Sequence, residues 1–125
     1  MPLVGERILV LEDEPIIALD IVATLRQAGA TIIAAHTAFD AINRVRGKQD
    51  VSLAILDVHL GSNEDCGGVC EELTRKGIPF MFYTAYKNIR VLEEWPHAPV
   101  VGKPARPRDI TRVLDRLCDQ RRAAS

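Results

Sequence analysis

The residues best suited to chemistry in this chain are few. They are an acidic run, Glu12-Asp13-Glu14, an aspartate after an apolar stretch, Asp57, a threonine, Thr84, and a lysine followed by proline, Lys103-Pro104. Carboxylates held close together repel, and a hard divalent cation is the usual remedy. Mg²⁺, or Mn²⁺ in its place, takes oxygen ligands; Mg²⁺ prefers an octahedral set with a few carboxylates and several retained waters. Asp13 and Asp57 are the candidate direct ligands, Glu12 the candidate ligand through a water, and the backbone carbonyl of His59 completes the protein's share. The His59 imidazole is a poorer partner for so hard an ion. A carboxylate can also act as a nucleophile, giving an aspartyl phosphate. Phosphoryl transfer needs in-line placement and neutralised equatorial oxygens more than it needs acid–base groups. The cation would take one phosphoryl oxygen, Lys103 a second, and the Thr84 hydroxyl with nearby N–H groups the third. Asp57, at the end of a buried apolar run, is the leading candidate for a working residue.

Each residue also has a plainer reading. Asp57 suits a turn or helix cap, Glu12 to Glu14 a solvated charge run, Thr84 a cap, and Lys103 an ordinary surface site. The elements that must carry them favour the joint reading. Arg7 to Leu11 is a short apolar run, hence a first strand, and Glu12 follows it at once. Pro15 to Ala28 has apolar residues at helical spacing, with proline in the first turn and Gly29 as a stop. Thr31 to Ala35 reads as strand two and Ala38 to Val45 as helix two. Within Val51 to Leu60, the unbroken run Leu53 to Leu56 suits a strand buried on both faces, and it ends at Asp57. Leu60 to Gly68 is rich in turn formers and reads as a loop. Val69 to Lys76 is helix three, and Pro79 to Thr84 is strand four. Lys87 to Trp95 has a poor helical pattern and is expected to be short or mobile. Val100 to Gly102 is a brief fifth strand, Pro107 to Gln120 the clearest amphipathic helix, and Arg121 to Ser125 a polar tail.

Strands alternating with helices predict an α/β fold, a doubly wound parallel sheet with helices on both faces. The flavodoxin-like strand order 2-1-3-4-5 suits five strands. In such a sheet the strand ends share one edge, where ligands bind. Glu12, Asp13, Asp57, Thr84 and Lys103 all fall there, which is hard to ascribe to accident.

The 125 residues fit a single domain spanning 1–125, and no repeat or interdomain linker is visible. Net charge is -1, which argues for neither nucleic acid nor a membrane surface. No apolar run approaches the roughly 20 residues of a membrane span, and the N-terminus lacks the form of a signal peptide. Three cysteines, Cys66, Cys70 and Cys118, make no disulfide framework and suit a reducing, cytoplasmic setting. Cys66 and Cys70 share a face if helical, open to packing or to a soft metal.

Taken in order, Glu12-Asp13, Asp57, Thr84-Ala85 and Lys103-Pro104 resemble the receiver domain of two-component response regulators, from about Arg7 to Leu117. The resemblance implies a signalling domain, not a turnover enzyme. It implies that Asp57 accepts a phosphoryl group from a histidine kinase phosphohistidine, with Mg²⁺ required, and that a cis peptide precedes Pro104. One departure stands out. Receivers usually carry Tyr or Phe three residues before the lysine, as part of the switch, and here that position is Val100. The segment Pro79-Phe80-Met81-Phe82-Tyr83-Thr84-Ala85-Tyr86 resembles a subgroup with a PFxFxTGY pattern, often free-standing and paired with HWE-type histidine kinases, although Ala85 replaces its glycine. In that subgroup reading Tyr86 and the segment Lys87 to Trp95 carry the switching. Plain packing is the alternative for Tyr83 and Tyr86. Output would run through a downstream protein partner, a homodimer or onward phosphoryl transfer, the phosphoryl charge biasing an element with two arrangements.

Two further readings compete. A receiver-like binding module could act without phosphate, with Val100 as its support. An enzyme is disfavoured. A haloacid-dehalogenase-like phosphatase wants Asp-x-Asp after its first strand, and a nucleotide-binding fold wants a glycine loop ending in lysine; neither is present.

Overall fold

Successive side chains of a strand leave its two faces in turn. In the central strands of this protein both sets are apolar, so the sheet must be covered on both sides. The computed structural model describes residues 1–61, 64–85 and 90–124. Strands β1 (Arg7–Leu11), β2 (Thr31–Ala35), β3 (Leu53–Leu56), β4 (Phe80–Thr84) and β5 (Val100–Gly102) form one parallel sheet in the order β2-β1-β3-β4-β5. Between and after them run α1 (Pro15–Gln27), α2 (Ala38–Arg46), α3 (Gly67–Arg75), α4 (Arg90–Glu94) and α5 (Pro107–Ala124). The fold is flavodoxin-like, with the strand order that the sequence predicts.

The core is split by the sheet. Leu9, Leu11, Ala54, Leu56, Phe80 and Phe82 pack toward α2 and α3. Ile8, Val10, Leu53, Ile55, Met81 and Tyr83 alternate with them and pack toward α1 and α5. Burial of one such side chain contributes about 1.5–3 kcal/mol, so a one-residue slip of β3 against β1 would exchange two complete apolar layers. The register that results, Val10 opposite Ile55 and Leu11 opposite Leu56, brings the ends of β1 and β3 level. Gly29 closes α1 at φ +98°, and a Cβ there would lie 2.5 Å from a Val4 methyl, so the turn into β2 requires glycine.

Two expectations need correction. Residues Arg121 to Ala124 are not a tail but the last turn of α5. Arg121 and Arg122 donate to the Glu6 carboxylate at 2.8 and 3.1 Å, which ties that turn down. The loop after β3 is also shorter than Leu60 to Gly68. The Asp65 carboxylate accepts the Gly67 N–H at 2.9 Å, so the helix starts at Gly67 despite the glycine pair. Of the weak segment Lys87 to Trp95, Lys87, Asn88 and Ile89 lie outside the described residues, and α4 covers Arg90–Glu94.

Candidate functional site

The site is built at the carboxyl edge, where the ladder of the sheet continues one residue past the strands. The Glu12 N–H donates to the Ala35 carbonyl at 3.1 Å, and the Asp57 N–H to the Leu11 carbonyl at 2.9 Å. Both acids are thereby fixed by main chain before any side chain is considered, and both are buried. Asp13 is half-buried beside them. Carboxylate oxygens of Glu12, Asp13 and Asp57 all lie within 4.8 Å of one another, and among the described residues this is the cluster able to hold a metal ion.

One cation reaches the cluster from the far end of the chain. Lys103 Nζ donates to Glu12 Oε1 at 2.6 Å and to Asp57 Oδ2 at 3.1 Å. The Lys103–Pro104 peptide is cis. The Lys103 N–H donates to the Thr84 carbonyl at 3.1 Å, which holds the lysine against the end of β4. Thr84 is fully buried there, opposite Gly102 of β5.

Glu12 and Asp57 share one ammonium with Asp13 beside them, and the protonation of Glu12 is displaced. Burial pushes the Glu12 carboxyl up to about 7, and the Asp57 charge adds to the effect. The hydrogen bonds from Lys103 and the Glu14 N–H oppose it without cancelling it. Burial would depress Lys103, but its bonds to Glu12 and Asp57 outweigh that and hold its pKa above the ordinary value. Hard oxygens in excess of fixed positive charge are the donor set that suits Mg²⁺ or Mn²⁺. The cluster therefore fits the divalent cation that the sequence calls for.

The remaining predicted residues are placed less uniformly. His59 is exposed, two residues beyond Asp57, and bridges Asp65 in a short antiparallel pairing. The Leu60 N–H to Glu64 carbonyl bond (3.0 Å) and the Cys66 N–H to Val58 carbonyl bond (3.2 Å) fold this loop back on itself. Val100 stands on the edge strand, 47% exposed. Tyr86 lies outside the described residues. Cys66 and Cys70 bring their sulfurs to 3.9 Å, wholly buried in the α2–α3 layer, where they pack as small apolar groups.

Three contacts at this edge escaped the sequence reading. His36 Nδ1 donates to the Glu12 carbonyl at 2.9 Å. The strand-end argument would have found it, because His36 directly follows β2. Tyr83 accepts the Ala105 N–H on its hydroxyl at 3.2 Å, and Lys103 Nζ lies 5.6 Å from its ring centroid. Nothing in the pattern of β4 marks that contact.

No family model matches the sequence. Among solved structures, a CheY-like receiver domain protein from Methanospirillum hungatei JF-1 superposes with a TM-score of 0.87 at 20% identity, over 96% of this chain and 98% of its own. A response regulator receiver protein from Sinorhizobium medicae WSM419 gives 0.82 at 20% identity, over 93% and 96%. SdrG from Sphingomonas melonis Fr1 is 31% identical over 94% of this chain and 98% of its own, with a TM-score of 0.79. The chain is a response regulator receiver domain. A curated relative, the phyllosphere-induced regulator PhyR of Methylorubrum extorquens, is 28% identical over 110 residues. The receiver spans 41% of that regulator's length. No helix among the receiver's described residues is long and apolar enough to cross a membrane.

Proposed function

We propose that this receiver accepts a phosphoryl group on Asp57 from the phosphohistidine of a histidine kinase, with Mg²⁺ or Mn²⁺ bound by Asp13, Asp57 and the His59 carbonyl and with Glu12 acting through water. When bound, the cation would neutralise one phosphoryl oxygen and offset the repulsion among the acids. In the transfer an Asp57 oxygen lone pair forms the new O–P bond as the P–N bond to the kinase imidazole breaks. The bonding pair leaves on the imidazole nitrogen, and the aspartyl phosphate remains on the receiver. Lys103 turns its ammonium from Asp57 Oδ2 to a phosphoryl oxygen, and the Thr84 hydroxyl binds another. Hydrolysis of the acyl phosphate returns the aspartate.

The observation that carries this reading is the Lys103 ammonium, within hydrogen-bonding distance of Asp57 and Glu12 together. A binding surface that worked without phosphate would have no need to bury two acids around one lysine with a third beside them. Incubation with acetyl phosphate and Mg²⁺ tests it. Intact mass should rise by one phosphoryl group in wild type and stay unchanged in Asp57→Asn or when Mg²⁺ is chelated. An unmodified wild-type mass would end the proposal.

The regulatory charge then appears at the ends of β3 and β4, and output passes to a downstream protein partner or a second copy of the domain. The PFxFxTGY-like segment around Thr84 supports an HWE-type kinase as the donor. Phosphotransfer from purified kinases of that type and of the other types would decide between them. Residues 1–125 act in this reading as one regulatory domain in the cytoplasm, without a nucleic-acid or membrane partner.

A further inference from the structure

Tyr83 immediately precedes Thr84 in β4, and its side chain is buried in the α1–α5 layer. Its two contacts both involve the turn that leads from β5 into α5. The hydroxyl accepts the Ala105 N–H at 3.2 Å, and the ring lies under the Lys103 ammonium, 5.6 Å from Nζ to the centroid. The turn is thus tied to β4 on both sides of the Lys103–Pro104 unit. Thr84 holds the Lys103 N–H through its main chain, and Tyr83 holds the Ala105 N–H through its side chain. The face of an aromatic ring attracts an ammonium ion, more strongly where water is excluded, and the Lys103 side chain is only 12% exposed.

Val100 gives the contrast. It pairs with Phe82 in the register of the sheet, and Phe82 packs in the α2–α3 layer. An aromatic at position 100 would stand on that side. Tyr83 pairs with Val101 and packs in the opposite layer.

We propose that Tyr83 is a positioning residue of this receiver: its ring and hydroxyl hold Lys103 and the following turn in place for phosphoryl transfer, coupling β4 to that turn from the α1–α5 layer. The proposal rests on Asp57 as phosphoacceptor, and the experiment separates the two. Tyr83→Leu removes ring and hydroxyl, while Tyr83→Phe restores the ring alone. Phosphorylation by acetyl phosphate with Mg²⁺ should slow about tenfold in Tyr83→Leu, the loss expected for a partly desolvated cation–π contact, and recover most of the way in Tyr83→Phe. Nuclear magnetic resonance of the unphosphorylated protein supplies a readout that packing alone would not move. The Lys103 ε-methylene protons should lose their ring-current shift in the Leu variant and keep it in the Phe variant. The Ala105 amide should exchange faster in both. Tyr83→Met takes the place of the Leu variant should that one not fold. A folded Leu or Met variant with the wild-type rate overturns the proposal, as do Lys103 signals unmoved by loss of the ring. A wild type that never takes up phosphate overturns the phosphoacceptor reading instead, and the Lys103 and Ala105 signals still decide whether Tyr83 positions the lysine.

Discussion

The sheet has a buried carboxylate paired with distant cations at each end, and the two differ in arithmetic. At the amino edge Glu6 meets Arg121 and Arg122 of α5, one acid against two guanidinium groups. At the carboxyl edge Glu12 and Asp57 meet Lys103 with Asp13 beside them, three clustered acids and one ammonium. Burial raises the pKa of either glutamate. At Glu6 the Ser52 hydroxyl and the two arginines overcome it, and the pKa falls below the ordinary 4.5. At Glu12 it is not overcome, and the carboxyl sits at about 7. In the first the carboxylate's charge is fully offset, and the pairing works as a clamp on the last turn of a helix. The second is short of positive charge and therefore open to a divalent cation. Saturation distinguishes a structural ion pair from a site here; burial and pairing do not, since both ends have them.

The comparison can be broken most completely at Asp57. Asp57→Asn should abolish uptake of phosphate while leaving the Glu6 clamp intact, as measured by intact mass and by an unchanged far-ultraviolet circular dichroism spectrum. Removing Mg²⁺ comes next. Saturating Mg²⁺ should raise the wild-type melting temperature; the stabilisation behind the rise grows with ligand concentration over Kd and reaches about 2.7 kcal/mol at a hundredfold excess. The rise should vanish in Asp13→Asn and persist in Glu6→Gln. At the other edge Glu6→Ala removes the charged acceptor of both arginines and should cost about 2 kcal/mol in urea unfolding, with Mg²⁺-dependent phosphorylation retained.

The smallest effect is the sharpest test, because the two glutamates titrate with opposite sign. Glu6 has a lowered pKa in the folded state. Its contribution is complete above the unfolded value of 4.5 and is lost as pH falls through the lower folded value. Glu12 has a raised pKa. In metal-free protein the folded state binds the extra proton between 4.5 and about 7, so its contribution to stability declines as pH rises across that window. Urea midpoints in chelator should lose the decline in Glu12→Gln and lose part of the acid limb in Glu6→Gln. A wild-type profile flat from 4.5 to 7, unchanged by Glu12→Gln, would show that the carboxyl edge is as satisfied as the amino edge.

The carboxyl edge was far more legible in the sequence than the amino edge. Asp57 and Lys103 each directly follow an apolar run, so once the strands are recognised the strand-end rule places them. Glu6 precedes β1 and is an ordinary surface glutamate to any local pattern. Its partners lie 115 and 116 residues away, in a segment whose polarity reads as a tail. Only packing of α5 across the sheet makes them meet. The start of α3 was misplaced for a similar reason: a glycine pair lowers local helix propensity, while one side-chain bond from Asp65 outweighs it.

The order of apolar runs and punctuation in the sequence was enough to determine a doubly wound sheet, its strand order and the placement of Glu12, Asp57, Thr84 and Lys103 at its carboxyl edge, because period and chain connectivity are local properties that survive without coordinates. Tertiary structure decided the charge balance within each cluster, which carboxylate the lysine grips, and the seat of Lys103 above the Tyr83 ring. Those depend on distances of a few ångströms between segments far apart along the chain, and electrostatic energies change sharply over such distances.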